Sequence, residues 1–164
     1  MSQFVIESIG HLIGVVPKSG STMILNRYHR PGLDALNIEC AAMLKRAGWK
    51  ISAVFRDPID RLESAYNFFQ HGDGKGYLRF GTPSSIREFI DAVLAGLRDR
   101  HWIPQYDLYS LNARFLPSAC IPLNSFPNVE NGTIHVESVD GYRLEELRKF
   151  YSSDLSFMRG ARIA

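Results

Sequence analysis

Two short apolar runs without polar alternation constrain the fold of this chain most. Residues 11–16 are mainly Leu, Ile and Val, and residues 51–55 form a second apolar run. Strands that show no alternation are typical of parallel sheets that are buried on both faces. Parallel neighbours need crossover connections, which are usually helices. We therefore predict an α/β fold of three layers, in which helices flank a central parallel sheet, and a single domain over residues 1–164.

A helix is predicted directly after each apolar run. Residues 21–28 have room for about two helical turns before a turn signal at residues 29–32. After the second run, Asp57 can accept hydrogen bonds from the free amides of a first turn, and Pro58 is favoured at the first helical position. The predicted buried face of this second helix consists of Ile59, Leu62, Tyr66 and Phe69.

Three further helices are predicted from apolar residues at helical spacing. Asp34 is a candidate cap for a helix that ends at Gly48, and its apolar positions include Cys40 and Met43. Ser85 and Glu88 form a capping box for the next helix. A closing helix is predicted from Leu144, Leu147, Tyr151 and Leu155.

The remaining segments carry weaker signals. Residues 4–6 are a candidate partner strand for the first apolar run, and residues 133–136 are predicted to form a third strand. Residues 103–131 show little periodicity and are predicted to be irregular, with a short helix near residues 108–115. The glycine-rich residues 72–81 favour a surface loop.

Charge and composition narrow the function classes. The formal net charge is +2, from 19 Lys and Arg against 17 Asp and Glu, so the chain lacks the global positive field of a dedicated nucleic-acid-binding protein. No stretch approaches the about 18 apolar residues that indicate a membrane span, and the first eight residues resemble no secretory signal. With only Cys40 and Cys120, we expect reduced thiols and a cytoplasmic protein. From the charge and the lack of a long apolar stretch, we expect that it binds neither nucleic acid nor membrane. The oligomeric state has no signal in the sequence.

The segment after the first apolar run is suited to binding an anion. A glycine-containing turn that enters a helix points backbone amides and the positive helix end at one spot. Lys18 adds a mobile positive charge, and Ser19, Ser21 and Thr22 add hydroxyl donors. In a nucleoside-triphosphatase loop the lysine follows the last glycine, whereas Lys18 precedes Gly20, so ATP is disfavoured as a donor.

Two motifs together resemble the sulfotransferases that use 3′-phosphoadenosine 5′-phosphosulfate (PAPS). The first is similar to their 5′-phosphosulfate loop and reads Val16-Pro17-Lys18-Ser19-Gly20-Ser21-Thr22. The second resembles their 3′-phosphate motif and reads Phe55-Arg56-Asp57-Pro58-Ile59-Asp60-Arg61-Leu62-Glu63-Ser64-Ala65-Tyr66. The pattern is closest to the carbohydrate sulfotransferases that include the chondroitin and HNK-1 enzymes, in which a His-Trp pair follows, as His101-Trp102 does in this chain.

The resemblance implies a P-loop-like sulfotransferase fold, PAPS as the sulfuryl donor, no metal, and a hydroxyl acceptor on a carbohydrate. Lys18 would contact the oxygen that bridges sulfur and phosphorus, and Arg56 and Ser64 would hold the 3′-phosphate. The 5′-phosphate would be bound by the loop residues Pro17, Lys18, Ser19, Gly20, Ser21 and Thr22.

The general base and the catalytic competence stay open at this point. His101 is the first candidate, because histidine has a pKa suited to proton transfer near neutral pH, although it could instead cap a helix or shape the donor pocket. His29 and Glu39 are rival bases. Arg61 is a second candidate for the phosphate face or for a salt bridge to a carboxylate. The alternative functions are a noncatalytic binder of 3′-phosphoadenosine 5′-phosphate (PAP) or of sulfated glycans, and a small-molecule kinase.

Basic residues outside the two motifs have two interpretations. They either help an anionic acceptor to bind or belong to a solvated face of the protein. These residues are Lys75, Arg79, Arg98 and Arg100.

Overall fold

The computed structural model describes residues 2–28, 31, 34–71, 83–126 and 136–160. In chain order the elements are β1 (Gln3–Ser8), β2 (His11–Val15), α1 (Ser21–Tyr28), α2 (Ile38–Arg46), β3 (Lys50–Phe55), α3 (Pro58–His71), α4 (Ile86–Leu94), α5 (Gln105–Leu108), β4 (Ser110–Leu111), β5 (Arg114–Phe115), β6 (Ala119–Pro122), a 3-10 turn (Leu123–Ser125), α6 (Leu144–Phe150) and α7 (Ser152–Gly160). The described residues form an α/β fold, as the sequence predicts.

The main sheet is mixed rather than wholly parallel. Its strand order is β1-β2-β3-β6, in which β2, β3 and β6 run parallel and β1 runs antiparallel to β2. The expected partner strand at residues 4–6 is therefore present as β1, and its antiparallel direction corrects the prediction of a parallel sheet. A short connection through Gly10, whose φ is +83°, permits this hairpin.

The third parallel strand is β6, which lies in the segment that was predicted to be irregular. Four residues that include Cys120 and Pro122 are too few to show a period, and only their parallel pairing with β3 reveals the strand. The predicted third strand at residues 133–136 lies outside the described residues except for Val136, which has no regular structure. The predicted helix near residues 108–115 is also wrong, because α5 ends at Leu108 and the β4–β5 hairpin follows.

The two faces of the sheet are covered by different helices. Leu12 and Ile51 pack with Ala41 of α2 on one face, while Ile13 and Val54 pack with Ile24 of α1 on the other. Since successive strand residues point to opposite faces, burial on both sides explains the unbroken apolar runs. A third cluster joins α3, α4 and α6 through residues that include Phe69, Phe89, Trp102 and Leu147.

The predicted starts of α3 and α4 are confirmed. Asp57 Oδ1 accepts from the backbone N–H groups of Ile59 (2.8 Å) and Asp60 (3.2 Å), which caps α3. Ser85 caps α4 by accepting from the Glu88 N–H group. The Glu88 carboxylate reaches back to Ser84, not Ser85, so the capping box is only half formed.

Two other helix predictions need correction. The cap of α2 is Asn37, whose Oδ1 accepts from the Cys40 N–H group at 2.9 Å, and not Asp34. Met43, which was assigned to its apolar stripe, is 64% exposed. The closing helix is broken into α6 and α7 at Tyr151. No helix in the described ranges combines the length and the apolarity that crossing a membrane requires.

Candidate functional site

The predicted anion loop connects β2 to α1 at the carboxyl end of the parallel strands. Ser19 holds the loop closed, because its hydroxyl donates to the Val16 carbonyl (2.7 Å) and accepts from the Val16 N–H group (3.2 Å). Ser19 is fully buried, so its hydroxyl has a role inside the loop. Ser21 is half-buried and Thr22 is exposed at the start of α1, where the first backbone N–H groups of a helix have no intrahelical partner.

Two residues of the loop have left-handed backbone conformations. Lys18 has a φ of +64° and Gly20 a φ of +71°. For a non-glycine residue this conformation costs about 1–2 kcal/mol, and such strain is concentrated at functional sites. A Cβ atom on Gly20 would also lie 2.5 Å from Leu123 Cδ1. The loop therefore requires glycine at position 20 and tolerates strain at Lys18.

The Lys18 side chain lies over an aromatic ring of α3. Its Nζ is 3.2 Å from the centroid of the Phe68 ring, a cation–π contact that holds the amine beside the loop. The positive charge of Lys18 also contributes to lowering the pKa of His101. The two predicted catalytic residues are thus near enough to interact electrostatically.

Arg56 follows β3 and contacts the anion loop directly. Its Nη1 donates to the Lys18 carbonyl at 3.4 Å. Burial lowers the pKa of Arg56, and the opposing charges of Asp60, Glu63 and Asp57 offset this effect. The carboxyl ends of adjacent parallel strands meet at one sheet edge, which is why the two sequence motifs lie together.

The backbone of Arg56 is fixed by a buried polar chain that leads to α7. Gln105 Oε1 accepts from the Arg56 N–H group (3.1 Å), and Gln105 Nε2 donates to the Arg56 carbonyl (2.8 Å). Asp154 in turn accepts from the backbone N–H groups of Gln105 (2.9 Å) and Tyr106 (2.7 Å). Burial raises the pKa of Asp154, and these hydrogen bonds counteract the rise. The hydrogen bonds of Gln105 and Asp154 thus set the direction in which Arg56 leaves the strand.

Arg61 joins the anion loop to the segment that carries His101. The side chain is fully buried, and its Nε donates to the Pro17 carbonyl at 2.9 Å. Its Nη2 and Nη1 donate to the carbonyls of Arg100 (2.7 Å) and Ile103 (2.8 Å). The alternatives that the sequence left open for Arg61 are therefore replaced by a third arrangement, since its guanidinium binds three backbone carbonyls.

His101 directly follows Arg100, whose carbonyl accepts from Arg61 Nη2. Its side chain is 12% exposed, its Nδ1 is in close contact with Asp99 Oδ1, and the Phe69 ring meets it edge-on at 5.0 Å. Burial lowers the pKa of His101; Asp99 opposes this shift, while Arg100 and Lys18 add to it. A carboxylate at Nδ1 favours the tautomer that carries its proton there, which leaves Nε2 as the basic nitrogen.

The other predicted site residues differ in their burial, and some of them lie outside the described residues. Ser64 is 1% exposed, on the buried side of α3 that also carries Arg61. Trp102 is 1% exposed and packs in the cluster of α3, α4 and α6, so its place is in the core. Glu39 is exposed in the first turn of α2. The rival base His29 and the basic residues Lys75 and Arg79 lie outside the described residues.

Sequence reasoning missed two of the residues that position this site. Gln105 and Asp154 are 49 positions apart, and no local pattern connects them. Arg61 was a candidate from the sequence, but only its three hydrogen bonds in the folded chain show what it binds. Within the described part of the chain, no group of three or more His, Cys, Asp or Glu side chains is arranged to hold a metal ion.

The described residues form an α/β protein in which the loop after β2 and the residue that follows β3 are in contact. No protein-family model, curated protein or solved structure matches the chain. Function is therefore inferred from the two motifs and from the geometry that joins them.

Proposed function

We propose that this chain is a sulfotransferase with a P-loop-like fold, which transfers a sulfuryl group from PAPS to a carbohydrate hydroxyl. The observation that carries the proposal is the contact of Arg56 Nη1 with the Lys18 carbonyl. This contact brings the residue proposed for the 3′-phosphate against the loop proposed for the 5′-phosphosulfate. A donor that carries both groups could then be held at once, which favours PAPS over ATP.

The loop supplies groups that are suited to binding the 5′-phosphosulfate. The first turn of α1 offers backbone N–H groups and the positive end of the helix, and Lys18 adds a charge that Phe68 holds in place. Pro17 is fixed through its carbonyl by Arg61, and Gly20 permits the turn. Because these groups are positioned before substrate binds, they cost little reorganisation during the reaction.

The proposed reaction is an in-line displacement at sulfur. The acceptor oxygen forms a bond to sulfur while the bond from sulfur to the bridging phosphate oxygen breaks. His101 Nε2 takes the proton of the acceptor hydroxyl, and Asp99 stabilises the imidazolium that results. Lys18 and the loop amides stabilise the negative charge that develops on the 5′-phosphate of PAP. The chain's contribution is thus positioning and electrostatic stabilisation.

Binding of PAP and of AMP tests the donor assignment, because the two nucleotides differ by the 3′-phosphate. Arg56→Ala should weaken PAP binding about 10- to 100-fold in calorimetry, as expected for a lost charge-assisted hydrogen bond, and should change AMP binding little. Arg159→Ala is the matched control, since Arg159 is exposed on α7. Equal losses for both nucleotides, or no loss for either, would refute the role of Arg56.

Turnover with labelled PAPS tests the transfer step. Lys18→Ala should lower kcat about 100- to 1,000-fold, the cost of removing one preorganised donor, with a smaller effect on PAP affinity. Near-normal turnover would remove Lys18 from the mechanism. A wild-type protein that binds PAP but transfers no sulfate to any saccharide would be the noncatalytic binder. Stabilisation by Mg²⁺ and ATP without an effect of PAP would indicate a kinase.

A further inference from the structure

A cleft with a volume of about 330 Å³ opens beside the anion loop. The residues that line it include Ser2, Gln3, Pro17, Leu36, Asn37 and Arg100. Gln3 pairs with Val15, so this cleft lies at the same end of β2 as the loop. This volume lies near the lower end of the about 300–1,000 Å³ that is typical of small-molecule sites, which suits one sugar ring better than an extended chain.

Two walls of the cleft adjoin the proposed catalytic residues. Pro17 directly precedes Lys18, and Arg100 directly precedes His101. Arg61 donates to the carbonyls of both Pro17 and Arg100, at 2.9 and 2.7 Å, so these walls are fixed relative to each other. A compound in the cleft would therefore contact the residues that directly precede Lys18 and His101.

Another part of the cleft lining is attached to the sheet. Leu36 and Phe4 exchange two backbone hydrogen bonds of 2.8 and 2.9 Å, which hold the segment before α2 against β1. Asn37 follows Leu36, and its Oδ1 is engaged in capping α2. Since the Asn37 amide has both a carbonyl and an NH₂ group, its NH₂ group is the part suited to a ligand.

The chemistry of the lining indicates the kind of ligand. Ser2, Gln3 and Asn37 carry hydroxyl and amide groups, which recognise hydroxyl groups, and Leu36 and Pro17 are apolar. Arg100 contributes a guanidinium group, and the described lining residues include neither a carboxylate nor an aromatic ring. Such a cleft favours a polyhydroxylated, neutral or anionic ligand over a cationic amine or a flat phenol.

This inference rests on the proposed function: we propose that the cleft is the acceptor subsite, that it takes a single sugar ring, and that Arg100 selects for negative charge. Methyl glucoside, methyl glucuronoside and methyl glucosaminide form a matched set, because they share the ring and differ in charge. 4-Nitrophenol serves as a flat acceptor without a sugar ring. Binding is measured by saturation-transfer NMR with and without PAP, and transfer is measured with labelled PAPS.

Arg100→Gln should remove the preference for the glucuronoside, with about a threefold to fivefold rise in its KM or dissociation constant and little change for the glucoside. The Arg100 carbonyl that Arg61 binds is retained in this variant. Asn37→Ser keeps a side chain that can cap α2 and should weaken both sugars about threefold or more through a lost hydrogen bond. Arg159→Gln, on exposed α7, should change neither sugar.

The outcomes separate the acceptor subsite from the proposed function. PAP affinity should be unchanged in both cleft variants, so a sugar-specific loss supports the subsite. Sugar binding that both cleft variants weaken, in a protein that does not bind PAP, would refute sulfotransfer while leaving a sugar site in the cleft. If wild-type protein binds PAP but the cleft variants alter no sugar, or if the glucosaminide or the phenol is preferred, the inference is wrong.

Discussion

Replacing Arg61 by alanine removes the group that ties the anion loop to the His101 segment. The three hydrogen bonds to the Pro17, Arg100 and Ile103 carbonyls measure 2.7–2.9 Å, and the side chain is fully buried. Each such bond to a charged group contributes about 1.5–3 kcal/mol. Their sum would overstate the loss, because the buried guanidinium also carries a desolvation cost and water can enter the space it leaves.

We therefore expect Arg61→Ala to lower the free energy of unfolding by about 3–5 kcal/mol, the range for breaking a buried charge interaction. This is a large part of the about 5–15 kcal/mol that stabilises a typical domain. Arg61→Lys keeps the charge but cannot reproduce the three-way fork, so it should retain more stability while lowering kcat. Urea unfolding followed by circular dichroism measures the first quantity, and sulfate transfer from PAPS measures the second.

The control for Arg61 is Arg159, an exposed arginine of α7 whose Nε donates to one carbonyl, that of Leu155, at 3.1 Å. Arg159→Ala should change the free energy of unfolding by less than about 0.5 kcal/mol. An Arg61→Ala protein within about 1 kcal/mol of wild type would refute the reasoning, since three buried carbonyls cannot lose their donors at so small a cost. Wild-type kcat in Arg61→Lys would show that the fork does not position the site.

Three further predictions follow from the same geometry. Gly20→Ala should cost about 2 kcal/mol of stability and weaken PAP binding, because Gly20 has a φ of +71° and an added Cβ would contact Leu123. Adding Leu123→Ala should relieve only the steric part of this cost. A Gly20→Ala protein with wild-type stability and PAP affinity would contradict the prediction. Since burial lowers the pKa of His101, the fall of kcat in acid should begin below the ordinary pKa of an imidazole. Asp99→Asn removes a charge that raises this pKa, so it should move the acid limb of the pH profile to lower pH and reduce kcat on the plateau. An acid limb that moves to higher pH would be inconsistent with the assignment. Asp154→Asn should destabilise the fold by about 1–3 kcal/mol, because one of two backbone donors loses its acceptor. Burial raises the pKa of Asp154, so the stability that this group contributes is present below its unfolded pKa and is lost as pH rises through its folded pKa. The loss of unfolding free energy in Asp154→Asn, measured by urea unfolding, should therefore be largest in acid. A loss that grows as pH rises would contradict this direction.

The elements that the sequence predicted well are those with local causes. The boundaries of α1 agree with the prediction of residues 21–28, and Asp57 caps α3 as its side chain and Pro58 indicate. A cap, a helix-starting proline and an apolar run each act within a few residues, so they can be read without knowing the fold. The strand β6 and the antiparallel direction of β1 depend on partners that are distant in the chain, and these were missed or assigned wrongly.

The same distinction applies to the candidate site. The sequence alone selected the loop with Lys18 and the motif with Arg56. Only the tertiary structure decided that Arg61 binds three carbonyls, and that Gln105 fixes the backbone of Arg56. The reason is physical: a buried donor must find acceptors wherever the packed chain supplies them, and those acceptors are backbone groups that every residue carries. Residue types therefore indicate which chemistry is present, whereas the packing determines what holds it in place.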